Sequence, residues 1–268
     1  MTRVVPTAEF VSIVFGEDVA LDDPAETFHE ASRLYPHVAP GRVRTIVGLA
    51  ANPELQQTAL RASRTHDHRP GLDLPPPRLP RARLRDVLAR RRSDPPPVRL
   101  PLRLSDLATI LGTAYGVHVS DDRPRRPVPS GGALYPLELY VLPLEVGGLG
   151  RSAFHYHPFR HRLEPLKPFV EDDLAAALVD PSLADRAALV LVVTTVVWRT
   201  RFKYGLRGYR FALLEAGHLV QNVLLVAAAL GLAAVPLGGW YDRRVDDLVG
   251  ADGLDEATVY LVSIGGRR

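Results

Sequence analysis

The stretch Arg199–Trp240, RTRFKYGLRGYRFALLEAGHLVQNVLLVAAALGLAAVPLGGW, constrains the fold of this chain more than any other. After Arg210, the residues Phe211, Leu213, Leu214, Leu219, Val220, Val223, Leu224, Val226, Ala227 and Leu230 cover nearly every face at helical spacing. A helix apolar all round is a buried helix, so the rest of the chain is expected to pack around residues 211–230. Gly231 marks its end, and Pro236 forbids continuation. The polar exceptions Glu215, His218, Gln221 and Asn222 need partners inside the fold or across an interface, since burial unpaired costs ~1–3 kcal/mol each. Ahead of the helix lies a chemically dense segment with Arg201, Lys203, Tyr204 and Arg207.

At 268 residues and 46% hydrophobic content the chain can bury a full core. Its division is expected at residues 1–80, an N-terminal extension with a proline-rich connector, and 81–268, the main domain. Residues 211–237 come nearest to a membrane span, but Glu215, His218, Gly231 and Pro236 interrupt them. The N-terminus lacks a signal-peptide pattern. With no cysteine there is no disulfide framework, thiolate metal site or cysteine nucleophile, and the cytoplasm is the expected compartment. A net charge of +3 is too mild to indicate nucleic acid. Only Lys167 and Lys203 are lysines among 33 basic residues. A lysine in an arginine-rich chain points to proton chemistry, because arginine does not give up its proton near neutral pH.

Along residues 1–70, helical and loop segments are expected around Phe28, Leu34, Tyr35, Ile46, Val47 and Leu49, with His29, His37, His66 and His68 on the surface. PGLDLPPPRLP (70–80) reads as an extended connector without helix. ARLRDVLARRRS is a short basic helix, and a second helix opens at Leu104 with Ser105 as cap and Gly116 as stop. PVPSGGALYP is a tight turn into the strand LELYVLPL. SAFHYHPFRHRLEPL is a hairpin, while 188–197 and 258–265 are strands. Strands without a regular βαβ rhythm, separated by long helices, predict an α+β fold.

Three segments suit an anionic cofactor. Arg90–Ser93 offers guanidiniums and a hydroxyl to a phosphate. Ser130-Gly131-Gly132 and Gly238-Gly239 offer bare backbone to a flat ligand, with Trp240 as an aromatic wall. His155, His157 and His161 do not read as a metal site, since His161 lies across the turn and no carboxylate spacing completes the set. Glu215 and His218 are expected to satisfy one another in the core or at a subunit seam.

The order of RRRS, LSDLATILGTAYG, PSGGALYPLELY, KYGLRGYRFALLEAGHLVQN, GLAAVPLGGW and YLVSIG, over roughly residues 85–265, resembles the nitroreductase-like flavoproteins. More narrowly it is similar to the SagB/ThcOx-type azoline dehydrogenases. The resemblance implies an α+β fold with a mixed or antiparallel sheet packed by helices, a homodimer, and FMN between subunits. Arg91, Arg92 and Ser93 would hold the FMN phosphate. Pro95 stands where a further basic residue is usual, so Arg267 or Arg268 would supply charge. Pro129, Ser130, Gly131 and Gly132 would reach the flavin of the neighbouring subunit, and Pro236, Leu237, Gly238 and Gly239 would lie beside its reactive edge. Ala133, where broader nitroreductases carry asparagine, suits the azoline branch.

The branch's Lys-Tyr pair falls on Lys203 and Tyr204, either of which could be the base. Arg201 and Arg207 are expected beside the lysine, favouring its neutral form. The implied activity is FMN-dependent oxidation of thiazoline or oxazoline rings in a ribosomal precursor peptide to azoles, beside a cyclodehydratase complex. Two alternatives stand: a general NAD(P)H-dependent nitro or quinone reductase, and a catalytically idle docking subunit of a peptide-modifying complex.

Overall fold

The computed structural model describes residues 23–35, 51, 52, 54, 63–66, 70–120 and 123–267. Ile46, Val47, Leu49, His37, His68 and Arg268 lie outside them. The strands are β1 (Leu72–Asp73), β2 (His118–Ser120), β3 (Arg123–Arg125), β4 (Leu137–Pro143), β5 (Ser152–His157), β6 (Arg162–Pro168), β7 (Leu189–Val196), β8 (Leu232–Leu237) and β9 (Glu256–Arg267). The helices are α1 (Pro24–Ala31), α2 (Leu84–Arg90), α3 (Leu104–Tyr115), α4 (Glu171–Ala177), α5 (Ser182–Arg186), α6 (Trp198–Tyr204), α7 (Leu206–Leu230) and α8 (Asp242–Val249). Seven strands form one sheet in the order β1-β6-β5-β4-β7-β9-β8, every neighbouring pair antiparallel, and β2 and β3 pair separately. This is the expected α+β class.

The β-branched run of β7 lies inside the sheet between β4 and β9. Side chains alternate faces along a strand. Leu189, Leu191 and Val193 therefore enter one core with α3 and α7, while Val190 and Val192 enter a second with α4, α5 and α8. The proline-rich connector contains no helix. Its Leu72 and Asp73 pair with Leu163 and Arg162, and Leu74 is buried.

Helix α7 begins at Leu206, earlier than its apolar pattern indicates, because Gly205 at φ 57° makes the break from α6. It ends as expected on left-handed Gly231. By length and composition it could cross a membrane, but Ala212, Ala216, Leu219, Val220 and Val223 are buried against the sheet and α3. The expectation of burial all round is corrected: Leu213 is 43% and Leu214 60% exposed, and Gly217, His218 and Gln221 continue the exposed stripe. One sheet and one neighbouring helix cover only part of a cylinder, which leaves a solvent face.

Two smaller expectations change. Ser105 lies inside α3, whose cap residue is Arg103; Arg103 instead grips Asp106 through two bonds of 2.9 Å. Trp240 is not an open aromatic wall: it bridges to Leu178 and packs on the second core.

Candidate functional site

Helix α6 carries Lys203 and Tyr204 in its last turn, and the Gly205 break turns the chain back so that Tyr204 meets Phe211 edge to face, centroids 5.0 Å apart. The Gly131–Ala133 turn lies against these residues. Gly131 faces Phe211, which a Cβ would meet at 3.1 Å. At Gly132, φ 67°, a Cβ would stand 2.5 Å from Tyr204 Oη and 2.7 Å from Lys203 Nζ. Glycine is therefore required there twice, for the left-handed backbone and for the two side-chain tips. Ser130 closes the turn: its carbonyl accepts the Ala133 N–H at 3.0 Å and its hydroxyl accepts the Tyr135 N–H at 2.9 Å. Pro129 precedes it on the exposed side.

The arginines expected at Lys203 go elsewhere. Arg201 stacks on Trp198 at 4.8 Å, and Arg207 donates to the Ser32 carbonyl. Their sequence neighbourhood does not survive because successive helical residues leave in different directions. What stands at the Lys203 ammonium is the Tyr204 ring, 5.2 Å away, and the Gly132 backbone.

Glu215 lies one helical turn beyond Phe211 and is buried, with neither carboxylate oxygen in a well-aligned hydrogen bond. The expected Glu215–His218 pair does not form, since His218 is on the exposed stripe. Burial pushes the Glu215 carboxyl up to about 7, against the smaller opposing influences of the Ser130 hydroxyl, the Arg126 charge and the Tyr115 hydroxyl. Arg126 itself is stacked over Tyr115 and Tyr135, at 4.4 and 4.7 Å.

A raised carboxyl pKa means that the folded state keeps a proton the unfolded chain loses from about pH 4.5 upward. The stability contribution is thus whole below 4.5 and lost as pH climbs to about 7, roughly 3 kcal/mol in all. Glu215→Gln is therefore expected to gain up to about that much on wild type between pH 5 and pH 8 in denaturant titrations. A constant difference between the two proteins at both pH values would refute the buried acid.

The predicted phosphate grip lies elsewhere. Arg91 Nη1 donates to Ser93 Oγ at 3.0 Å, so these two residues bind one another. Arg92 lines a cavity of about 540 Å³ with Arg90, Asp94, Leu224, Gly231 and Gly266. The backbone of Arg267 follows Gly266 and pairs with Leu232, two residues that line this cavity. From Phe211, under the glycine turn, to Leu224, at the cavity, is 13 residues of α7, or about 20 Å. Pro236 and Leu237 end β8, and Gly238 and Gly239 are exposed, with the Gly239 carbonyl accepting the Val179 N–H.

The residues fit FMN in kind: arginines at a cavity for a phosphate, and bare backbone for a flat ring. Within one chain, however, the Ser130–Gly132 turn stands at Phe211 of α7 and the basic cavity at Leu224.

The histidines also separate. His161 bonds Tyr156 and the Pro75 carbonyl, and His157 accepts the Arg160 N–H. The view that no carboxylate approaches them is corrected: His155 stands between Glu138 and Glu164, at 2.8 and 3.2 Å. His66 is not a surface residue but lies half-buried on the His155 ring, centroids 5.3 Å apart. His66, His155 and Glu164 present ligand atoms within 4.8 Å of one another. Both ring nitrogens of His155 are already taken by carboxylates, so the cluster reads as an ion network. Sequence reasoning missed this group, although a lone Glu or His inside the apolar strands LELYVLP and SAFHYH was the available signal.

The Nitroreductase family model matches residues 89–266. A protein of Methanocaldococcus jannaschii named as a nitroreductase is 38% identical over 174 residues, 65% of this chain and 87% of that one. The microcin B17-processing protein McbC of Escherichia coli is 36% identical over 141 residues, 50% of this chain and 51% of its own length. The trifolitoxin-processing protein TfxB of Rhizobium leguminosarum is 30% identical over 148 residues, 50% of this chain and 39% of its own. A chain in the E. coli microcin synthetase McbBCD complex, solved with truncated pro-MccB17 bound, superposes over 92% of this chain and 95% of its own with a TM-score of 0.60 at 23% identity, which shows the shared fold. With its antiparallel sheet, central helix and glycine turn under a Lys-Tyr pair, this chain belongs to the nitroreductase family.

Proposed function

We propose that this protein is an FMN-dependent dehydrogenase that oxidises azoline rings in a ribosomal peptide to azoles, working as a cytoplasmic homodimer beside a cyclodehydratase. The observation that carries the reading is the convergence of Lys203 Nζ and Tyr204 Oη on Gly132. An amine and a hydroxyl meeting on one glycine turn support the assignment of proton transfer to this pair. Similarity to two peptide-processing proteins supports a peptide substrate.

When bound, FMN supplies the acceptor for the hydride that leaves the ring. Arg92 and Arg267, with Arg91 and Ser93, would hold its phosphate. Pro129–Gly132 of the second copy and Pro236–Gly239 would bound its ring. Lys203 takes the proton from the carbon alpha to the ring imine, and Tyr204 orients the ring or relays that proton. Loss of one proton and one hydride leaves the second double bond of the azole. The separation of glycine turn and basic cavity along α7 supports a site shared by two copies, and the exposed Leu213–Leu214 face supports the seam.

The purified protein is expected to be yellow, dimeric in light scattering at micromolar concentration, and able to remove two hydrogens per ring from an azoline-bearing peptide by mass spectrometry. A colourless protein that FMN cannot reconstitute, or a folded flavin-loaded monomer, would sink the shared site. Turnover of nitroaromatics with a nicotinamide donor, and none of azolines, would instead identify a general reductase.

A further inference from the structure

We propose that Glu138 is a positioning residue for Lys203 and Tyr204: held from behind by His155, its carboxylate clamps α6 to the strand that issues from the Ser130–Gly132 turn. The inference rests on the reading of Lys203 and Tyr204 as the reactive pair.

Glu138 is the second residue of β4, directly downstream of the glycine turn. Arg199 is one helical turn before Lys203 on α6, so the two share a face. Arg199 Nη1 lies 2.6 Å from Glu138 Oε1, with the carboxylate buried and the arginine side chain 17% exposed. The β4–β7 ladder already joins the two pieces of chain, with Glu138 opposite Thr194, and the ion pair adds a side-chain link from that ladder to the face of α6 that carries Lys203. Helix α6 follows β7 directly, and the Val196 and Val197 N–H groups, on the Pro136 and Asp255 carbonyls, fix only its start. It is seven residues long, Thr200 is its one buried residue, and it has no side-chain cap.

The other side of Glu138 is locked. Its Oε1 also accepts the Arg64 N–H at 2.8 Å, and its Oε2 faces His155 Nε2 at 2.8 Å. His155 Nδ1 faces Glu164 Oε2, which accepts the His66 N–H at 3.0 Å. An imidazole donates from both nitrogens only as the cation. Burial opposes that form, but the two carboxylates outweigh it and raise the His155 pKa. Burial would likewise raise the Glu138 carboxyl, yet His155, Arg199 and the Arg64 N–H hold it at about 2. Glu256 completes the group, paired with Arg64 and accepting from Tyr140 at 2.7 Å. Three carboxylates thus meet three cations, His155, Arg64 and Arg199. Such buried pairs add little net stability but fix geometry.

The test uses Arg199→Gln in the full chain, with Arg199→Lys as the conservative rescue. Misplacement of a reacting group by about 1 Å can cost ~10²-fold. Arg199→Gln is expected to lose about that factor in kcat with KM for the azoline peptide unchanged, and Arg199→Lys to recover most of it.

The chain has only two lysines, so acylation followed by mass spectrometry gives a second readout independent of azoline chemistry. In Arg199→Gln the labelling rate of Lys203 relative to Lys167 rises severalfold as its tip leaves Gly132. If wild type does not oxidise azolines, the proposed function fails and this ratio alone decides the clamp. An unchanged kcat and an unchanged ratio in folded Arg199→Gln overturn it, as does a lowered melting temperature with both unchanged. Should Arg199→Gln not fold, Glu138→Gln takes its place with the same expectations.

Discussion

Lys203→Arg is expected to abolish azoline oxidation while leaving a folded, flavin-loaded dimer. Arginine keeps the positive charge but cannot accept a proton near neutral pH. Removal of a general base typically costs ~10²–10⁴-fold in rate. Lys167→Arg is the internal control, because Lys167 lies near the end of β6 rather than on α6. Tyr204→Phe is expected to fall less if its hydroxyl only orients the ring, and as far as Lys203→Arg if it is the base. The measurement is the loss of two hydrogens per ring, with FMN content read from the visible spectrum of each variant. Oxidation by Lys203→Arg at a rate near wild type would move the base elsewhere.

Gly132→Ala is expected to be nearly as damaging to turnover, for a different reason. The added Cβ would stand 2.5 Å from Tyr204 Oη and 2.7 Å from Lys203 Nζ. Both atoms are ends of flexible side chains, so the fold can yield, and what moves is the reactive pair itself. The left-handed backbone adds about 1–2 kcal/mol of strain for a residue with a side chain. Displacing reactive groups by about 1 Å can cost ~10²-fold.

Gly148→Ala separates the two effects. Gly148 also has a positive φ, 82°, but nothing lies within 4 Å of the Cβ it would gain. It should lose similar stability and keep full activity, whereas Gly132→Ala should lose both. Equal activity in the two variants would show that the turn does not govern the Lys203–Tyr204 tips.

Much of this molecule was legible because the relevant signals are local. The apolar run 211–230 demanded a core helix, Gly231 its end, and the β-branched run 188–197 a buried strand. The words PSGGALYP and KYGLRGYR pointed to the turn and to the Lys-Tyr pair. The helix, its end and the strand depend on the period or steric need of a few consecutive residues, whereas the roles of the turn and the Lys-Tyr pair were legible through the family resemblance.

What the sequence alone did not determine is which local features meet. Lys203 and Tyr204 stand over Gly132 because α6 breaks at Gly205 and folds back on α7, and no spacing in the chain encodes that encounter. Arg201 and Arg207, neighbours of the lysine in sequence, leave it in space. Glu138, His155, Glu164 and Arg199 come from four separate elements. Only sheet register and helix docking make them one network, as burial obliges such charges to find one another. The length of α7 likewise sets the basic cavity apart from the glycine turn. The family resemblance assigned the two motifs to different subunits of one site, and in one chain about 20 Å of helix runs from Phe211 at the turn to Leu224 at the cavity.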